Sequence, residues 1–129
     1  MLAVLAEQSI ALHVRTRELS LANAARAGVS EWTAFATLPI AELRPPEGPP
    51  GLVIVNPPYG ARLGAREDLV ALHRQLGQVL LRRFAGWRVG LVTSEVALAQ
   101  ATRLPFLPPG APVPHGGLRV TLFRTAPLG

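Results

Sequence analysis

The sequence predicts an α/β fold built on a mostly parallel sheet, and three observations carry that prediction. Residues 51–55, Gly-Leu-Val-Ile-Val, form a continuous β-branched run without polar alternation, the pattern of a strand covered on both faces in a parallel sheet. A long amphipathic stretch over 66–84 follows, and then a second apolar run over 87–93, so strand, helix and strand alternate. The closing segment, 118–125, instead alternates Arg119 and Thr121 with Val120 and Leu122, which predicts an antiparallel strand near an edge.

Taken in order, residues 10–14, Ile-Ala-Leu-His-Val, are expected as a short buried strand, with continuation of a helix from Met1 as the alternative. From Thr16 to Ala27 the spacing of Leu19, Ala22, Asn23 and Arg26 predicts a helix, and Gly28 supplies its stop. Trp32 to Ala36 is expected as the next strand. Residues 44–50, Arg-Pro-Pro-Glu-Gly-Pro-Pro, cannot continue a regular element, because proline lacks an N–H and restricts its neighbours; they form a stiff surface connection.

The helix over 66–84 places Leu69, Leu72, Leu76, Val79, Leu80 and Phe84 on one stripe. Glu67 and Asp68 suit its N-terminus, Arg82 and Arg83 its C-terminus, and Gly86 its stop. After the strand Trp87–Thr93, Ser94 is expected to cap a short helix through Ala101, and a second Pro-rich stretch fills 105–114. His73, beside Leu72, is expected at the surface or half-buried, His115 in a turn before Gly116-Gly117, and Trp32 and Trp87 in the core or facing a partner.

The chain has 129 residues, enough for one domain and one core, and it is 49% hydrophobic and only 16% charged, which excludes a disordered chain. Every one of its 13 basic residues is arginine, against Asp68 and seven glutamates, for a net charge of +5. That balance favours polyanions, and the guanidinium fork matches phosphate; a compositional bias towards arginine is the alternative. The sequence contains no cysteine, so disulfides and thiolate metal sites are excluded and a cytoplasmic location is expected. His13, His73 and His115 share no ligand spacing, so no metal is expected. No segment reaches the length of a membrane span, and Met1–Ala6, followed by Glu7, lacks the basic flank of a signal peptide.

The stretch with chemical content is Asn56-Pro57-Pro58-Tyr59, set where the predicted strand 51–55 ends. In open parallel sheets the crevice beyond the carboxyl ends of the strands is where ligands bind. The prolines stiffen the backbone, so the Asn56 carboxamide oxygen and the Pro57 carbonyl are two acceptors aimed at one point. They match the two hydrogens of an exocyclic amine, and Tyr59 can stack on the base that carries it. Such a site orients a nitrogen lone pair without a strong base, which suits methyl transfer to an amine. A rigid Asn-Pro turn with a packed tyrosine is the structural alternative.

Residues 51–64, Gly-Leu-Val-Ile-Val-Asn-Pro-Pro-Tyr-Gly-Ala-Arg-Leu-Gly, resemble the amine-targeting segment of the SAM-dependent N-methyltransferases that make N2-methylguanosine in ribosomal RNA or tRNA, in particular the group whose catalytic domain follows a THUMP domain. Asn23-Ala24 with Ala27-Gly28-Val29, then Leu76-Gly77, Phe84 with Gly86-Trp87, and Thr93-Ser94 resemble later landmarks of the same group in the same order. The resemblance spans roughly residues 11–125. It implies a Rossmann-like methyltransferase sheet, S-adenosyl-L-methionine (SAM) as cofactor, and guanine N2 or another base amine of RNA as acceptor. Carried over by residue, Asn56 and Pro57 bind the amine, Pro58 shapes the turn, Tyr59 stacks, and Arg62 contacts phosphate or substrate; Gly60 and Gly64 match the pattern only.

The sequence also departs from that group. Nothing before Gly28 is glycine, so the glycine-rich SAM loop has no counterpart, and the acidic positions expected at the donor ribose and adenine fall near Ala11 or His13 and near Pro39. Residues 1–129 are therefore expected to form a single methyltransferase-like domain, the C-terminal part of the group's catalytic domain, incomplete at its N-terminal side and with no residue assigned to SAM. Two functions follow as expectations: a truncated catalytic domain, or a non-catalytic module that binds a partner chain or binds RNA, the latter through Arg15, Arg17, Arg26, Arg62, Arg66 and Arg74. An uncovered sheet edge predicts a homodimer or a partner chain.

Overall fold

The computed structural model describes residues 2–5, 10–36, 38–57 and 66–129, with side chains from residue 18 onward. Five strands form one sheet in the order β1-β2-β3-β5-β4, where β1 is Leu2–Leu5, β2 Leu52–Val55, β3 Arg88–Thr93, β4 Val113–His115 and β5 Leu118–Arg124. β2 lies between parallel partners, with Leu2 opposite Leu52 on one side and Val55 opposite Leu91 on the other. β5 runs antiparallel to β3 and forms a hairpin with β4. The α/β class and the mostly parallel sheet with its antiparallel C-terminal part are as the sequence predicts.

Helix α2, Arg66–Arg83, joins β2 to β3 and carries the core. Leu76, Val79, Leu80 and Phe84 pack with Val53 and Val55 of β2, Val89 and Leu91 of β3, and Phe123 of β5. Phe84 meets Trp87 edge-on with ring centroids 5.5 Å apart. Each such side chain taken out of water contributes about 1.5–3 kcal/mol. At the far end of α2 the Arg83 guanidinium donates to the carbonyls of Ala41 and Leu43 at 2.8 and 3.0 Å, which ties the 3₁₀ turn Ile40–Glu42 to the helix. The strand run 51–55 gave no hint of that partner.

β2 is covered on one face only, contrary to expectation: Val53 and Val55 are buried, but Leu52 is exposed and Ile54 half-buried. Strands that advance in one direction through right-handed crossovers send their connecting helices to the same side. Leu52, Ile54, Val92 and Leu122 therefore share the open face.

Several elements differ from the sequence reading. Residues 10–14 belong to helix α1, Ile10–Ala27, because Leu2–Leu5 already supplies the strand beside β2. Trp32–Ala36 makes no strand: Ser30–Trp32 is a 3₁₀ turn, and the residues after it pair with no described strand. Trp32 is 75% exposed and is not a core residue, whereas Trp87 is buried. Helix α3 is Val96–Ala101 with Glu95, not Ser94, at its N-cap position. β5 is internal to the sheet, since the Pro-rich stretch yields β4 and β4 takes the edge. His115 is the last residue of β4, and Gly116 and Gly117, both at positive φ, make the hairpin turn.

Gly77 sets the spacing of α2 and α3. A Cβ placed there would stand 1.8 Å from the Thr102 carbonyl oxygen. Alanine is better than glycine in a helix by about 1 kcal/mol, yet Gly77→Ala is expected to destabilise the fold by about 1–3 kcal/mol, as overpacking does. Urea denaturation measures the sign, and a raised midpoint contradicts the packing described.

Candidate functional site at the carboxyl end of β2

Asn56 leaves β2 one residue after the Val55–Leu91 pair, at the carboxyl edge of the parallel part of the sheet. Asn56 is exposed while Pro57 after it is buried, so the start of the turn is seated in the fold. β3 continues two residues beyond Leu91, which brings Thr93, Ser94 and Glu95 to the same edge. Pro58, Tyr59, Gly60, Arg62 and Gly64 lie outside the described residues. The structure thus brings Asn56 and Pro57 together at the strand end.

The residues expected near the donor do not line that crevice as the resemblance requires. Ala11 and His13 lie within α1 rather than at a strand end, and Pro39 is exposed ahead of a 3₁₀ turn. Residues 6–9, Ala-Glu-Gln-Ser, contain no glycine and lie outside the described residues. No described residue is assigned to SAM. No group of three or more potential metal ligands occurs among the described residues either.

An ion pair and a buried histidine that the sequence did not reveal lie on α2 and just after β3. Arg66, the first residue of α2, donates from Nη1 to Oε1 of Glu95 at 2.8 Å. The Glu95 amide donates to Thr93 Oγ1 at 3.1 Å, which ties the carboxylate's backbone to the end of β3. Two turns along the same helix stripe, His73 is fully buried, not at the surface. Its Nδ1 lies 2.7 Å from the Leu69 carbonyl, which requires a donor, so the ring proton sits on Nδ1. Among the described residues neither His73 Nε2 nor Glu95 Oε2 has a partner, although both atoms are buried. The spacing from Arg66 to Leu69 to His73 to Leu76 is the only sequence signal for this arrangement.

Of the other arginines singled out, Arg26 is exposed and bonded to Asn23 within α1, and Arg74 is exposed on the outer flank of α2 with Asp68, Gln75 and Gln78. The side chains of Arg15 and Arg17 lie outside the described residues. No helix among the described residues is long and apolar enough to cross a membrane.

The pattern of the RMKL-like methyltransferase domain, UPF0020, matches residues 9–105, three quarters of the chain and the whole of the edge just described. The chain belongs to this family. Solved structures agree: a methyltransferase-assigned protein, SMU.472, solved with SAH, superposes with a TM-score of 0.80 at 18% identity over 96% of this chain and 31% of its own. TrmN from Thermus thermophilus gives 0.71 at 25% identity over 97% and 36%. A predicted N6-adenine-specific DNA methylase from Listeria monocytogenes gives 0.70 at 25% identity over 94% and 29%. This RMKL-like chain spans about a third of the length of each of them.

Burial pushes the His73 imidazole below its ordinary value of 6.5, opposed by its bond to Leu69 and by the Glu95 charge. The folded state therefore resists a proton that the unfolded state accepts. Stability from this group is complete above pH 6.5 and declines as pH falls below it, by at most about 1.4 kcal/mol per unit. Urea midpoints measured across that range are expected to fall more steeply in the parent protein than in His73→Gln; equal slopes contradict a buried neutral His73.

Proposed function

We propose that this RMKL-like domain is the acceptor-recognising part of a SAM-dependent N-methyltransferase and that its ligand is an exocyclic base amine of RNA, guanine N2 first among them. The observation that carries the reading is the exposed Asn56 carboxamide on a buried Pro57 at the carboxyl end of a strand with parallel neighbours on both sides. Two oxygen acceptors there, one on Asn56 and one the Pro57 carbonyl, suit the two hydrogens of an amine and leave its lone pair outward. Tyr59 would add stacking and Arg62 a phosphate contact. The net charge of +5 supports a polyanionic ligand, and a neighbouring structure named as a DNA methylase supports a nucleic acid.

No methyl-transfer step is assigned to these residues, since the donor features are absent. That absence favours a second reading, in which the chain binds RNA without transferring a methyl group. A homodimer or a partner chain that covers the sheet edge belongs to either reading, as does a cytoplasmic location.

Calorimetry with a single-stranded oligonucleotide containing guanosine is expected to show binding that weakens as salt is raised. Asn56→Ala is expected to weaken that binding about tenfold, the value of one good hydrogen bond or slightly more. SAM titrated against the same protein is expected to give no heat. Unchanged affinity in Asn56→Ala removes the amine-recognition reading, and heat from SAM returns the chain to the list of complete enzymes.

A further inference from the structure

The open face of the sheet is apolar across three strands. Leu52 and Ile54 of β2, Gly90 and Val92 of β3, and Leu122 of β5 share it, because the residues that alternate with them, Val53, Val55, Val89, Leu91 and Phe123, belong to the core. The patch is continuous. A Cβ placed on Gly90 would lie 3.4 Å from Leu122 Cδ1 and 3.8 Å from Ile54 Cγ1, so side chains from β2 and β5 approach β3 from either side. Parallel strands are found with both faces covered. Here α2 packs on the opposite face, and α1 packs against the 3₁₀ turn Ser30–Trp32.

Two charges on the open face indicate what would cover it. Arg88 stands beside Leu52, and Arg124 stands opposite Gly90. Both are exposed, and among the described residues neither makes an ion pair or a side-chain hydrogen bond. Strands β2, β3 and β5 contain no Asp or Glu. A second copy laid face to face would therefore bring guanidinium groups together with no carboxylate between them, and like charges across an interface are costly. Single-stranded nucleic acids bind by stacking bases on aromatic rings, whereas the side chains named on this face are aliphatic or arginine. An apolar stripe flanked by carboxylates is the complementary surface. Adjacent strands lie about 4.8 Å apart, so β2, β3 and β5 together span about the 10 Å width of one helix.

We propose that this face is the docking site of an amphipathic helix, whose apolar stripe covers Leu52, Ile54, Val92 and Leu122 and whose flanking Asp or Glu residues pair with Arg88 and Arg124. The proposal does not rest on the reading of Asn56 as an amine ligand.

Amide chemical-shift mapping with two synthetic helical peptides tests it. Both carry the same leucine stripe, flanked by glutamate in one and by lysine in the other. The glutamate peptide is expected to shift Leu52, Ile54, Gly90, Val92 and Leu122 and to bind about tenfold more tightly than the lysine peptide, as two exposed ion pairs allow. Its affinity is expected to fall as salt is raised. In the double variant Arg88→Glu, Arg124→Glu, which removes no hydrogen bond or ion pair among the described residues, the order of the two peptides is expected to invert. Equal affinities for the two peptides, or shifts elsewhere in the protein, overturn the proposal. So does a dimer in light scattering that is broken by Leu122→Glu, since the occupant is then a second copy. Shifts on this face with the guanosine oligonucleotide and none with the glutamate peptide overturn it in favour of a nucleic acid.

Discussion

The packing of α2 across β2 and β3 holds the rest in place. Leu76, Leu80 and Phe84 share one core with Val53, Val55, Val89 and Leu91, and the close approach at Gly77 brings the end of α3 against the same helix. Because that helix connects the two strands, the contact fixes both ends of the intervening segment. Asn56 and Pro57 are set by the last pair of β2, and Arg66 is set by the first turn of α2. Glu95, carried on the extension of β3, joins the second of these points to the sheet. A stripe of leucines therefore determines where Asn56, a buried proline and an ion pair lie relative to one another.

One-sided packing has a corresponding cost. The other face of the sheet keeps Leu52 and Leu122 partly open to water, so each forgoes a part of the roughly 1.5–3 kcal/mol that full burial of such a side chain contributes. The family match covers residues 9–105, and the solved neighbours are about three times as long, so the described fold corresponds to a portion of a larger architecture in those proteins. The carboxyl end of β2, with Asn56 and Pro57, lies within this portion.

Much of the fold was legible because its signals are local. A β-branched run, a leucine stripe over five turns and Gly86 after it are written in adjacent residues, and β2, α2 and β3 appear within a residue or two of where the pattern puts them. Short apolar runs carry no such information. Ile10–Val14 became helix and Leu2–Leu5 became strand because only one of them could occupy the position beside β2, which is decided by pairing and not by composition. At the site, Asn56 and Pro57 were readable from their place after a strand. The burial of His73 and the Arg66–Glu95 pair were not, since one depends on how α2 packs and the other joins residues far apart in the chain.

The central claim is that a base amine is held at the carboxyl end of β2, within reach of Arg66 and the end of β3. Amide chemical-shift mapping with the guanosine oligonucleotide tests it most directly, because every strand end reports separately. The account predicts shifts concentrated at Val55 and Asn56, at Arg66 and at Thr93 to Glu95. Shifts confined to the β4–β5 hairpin, or spread over the open face at Leu52 and Leu122, would contradict it.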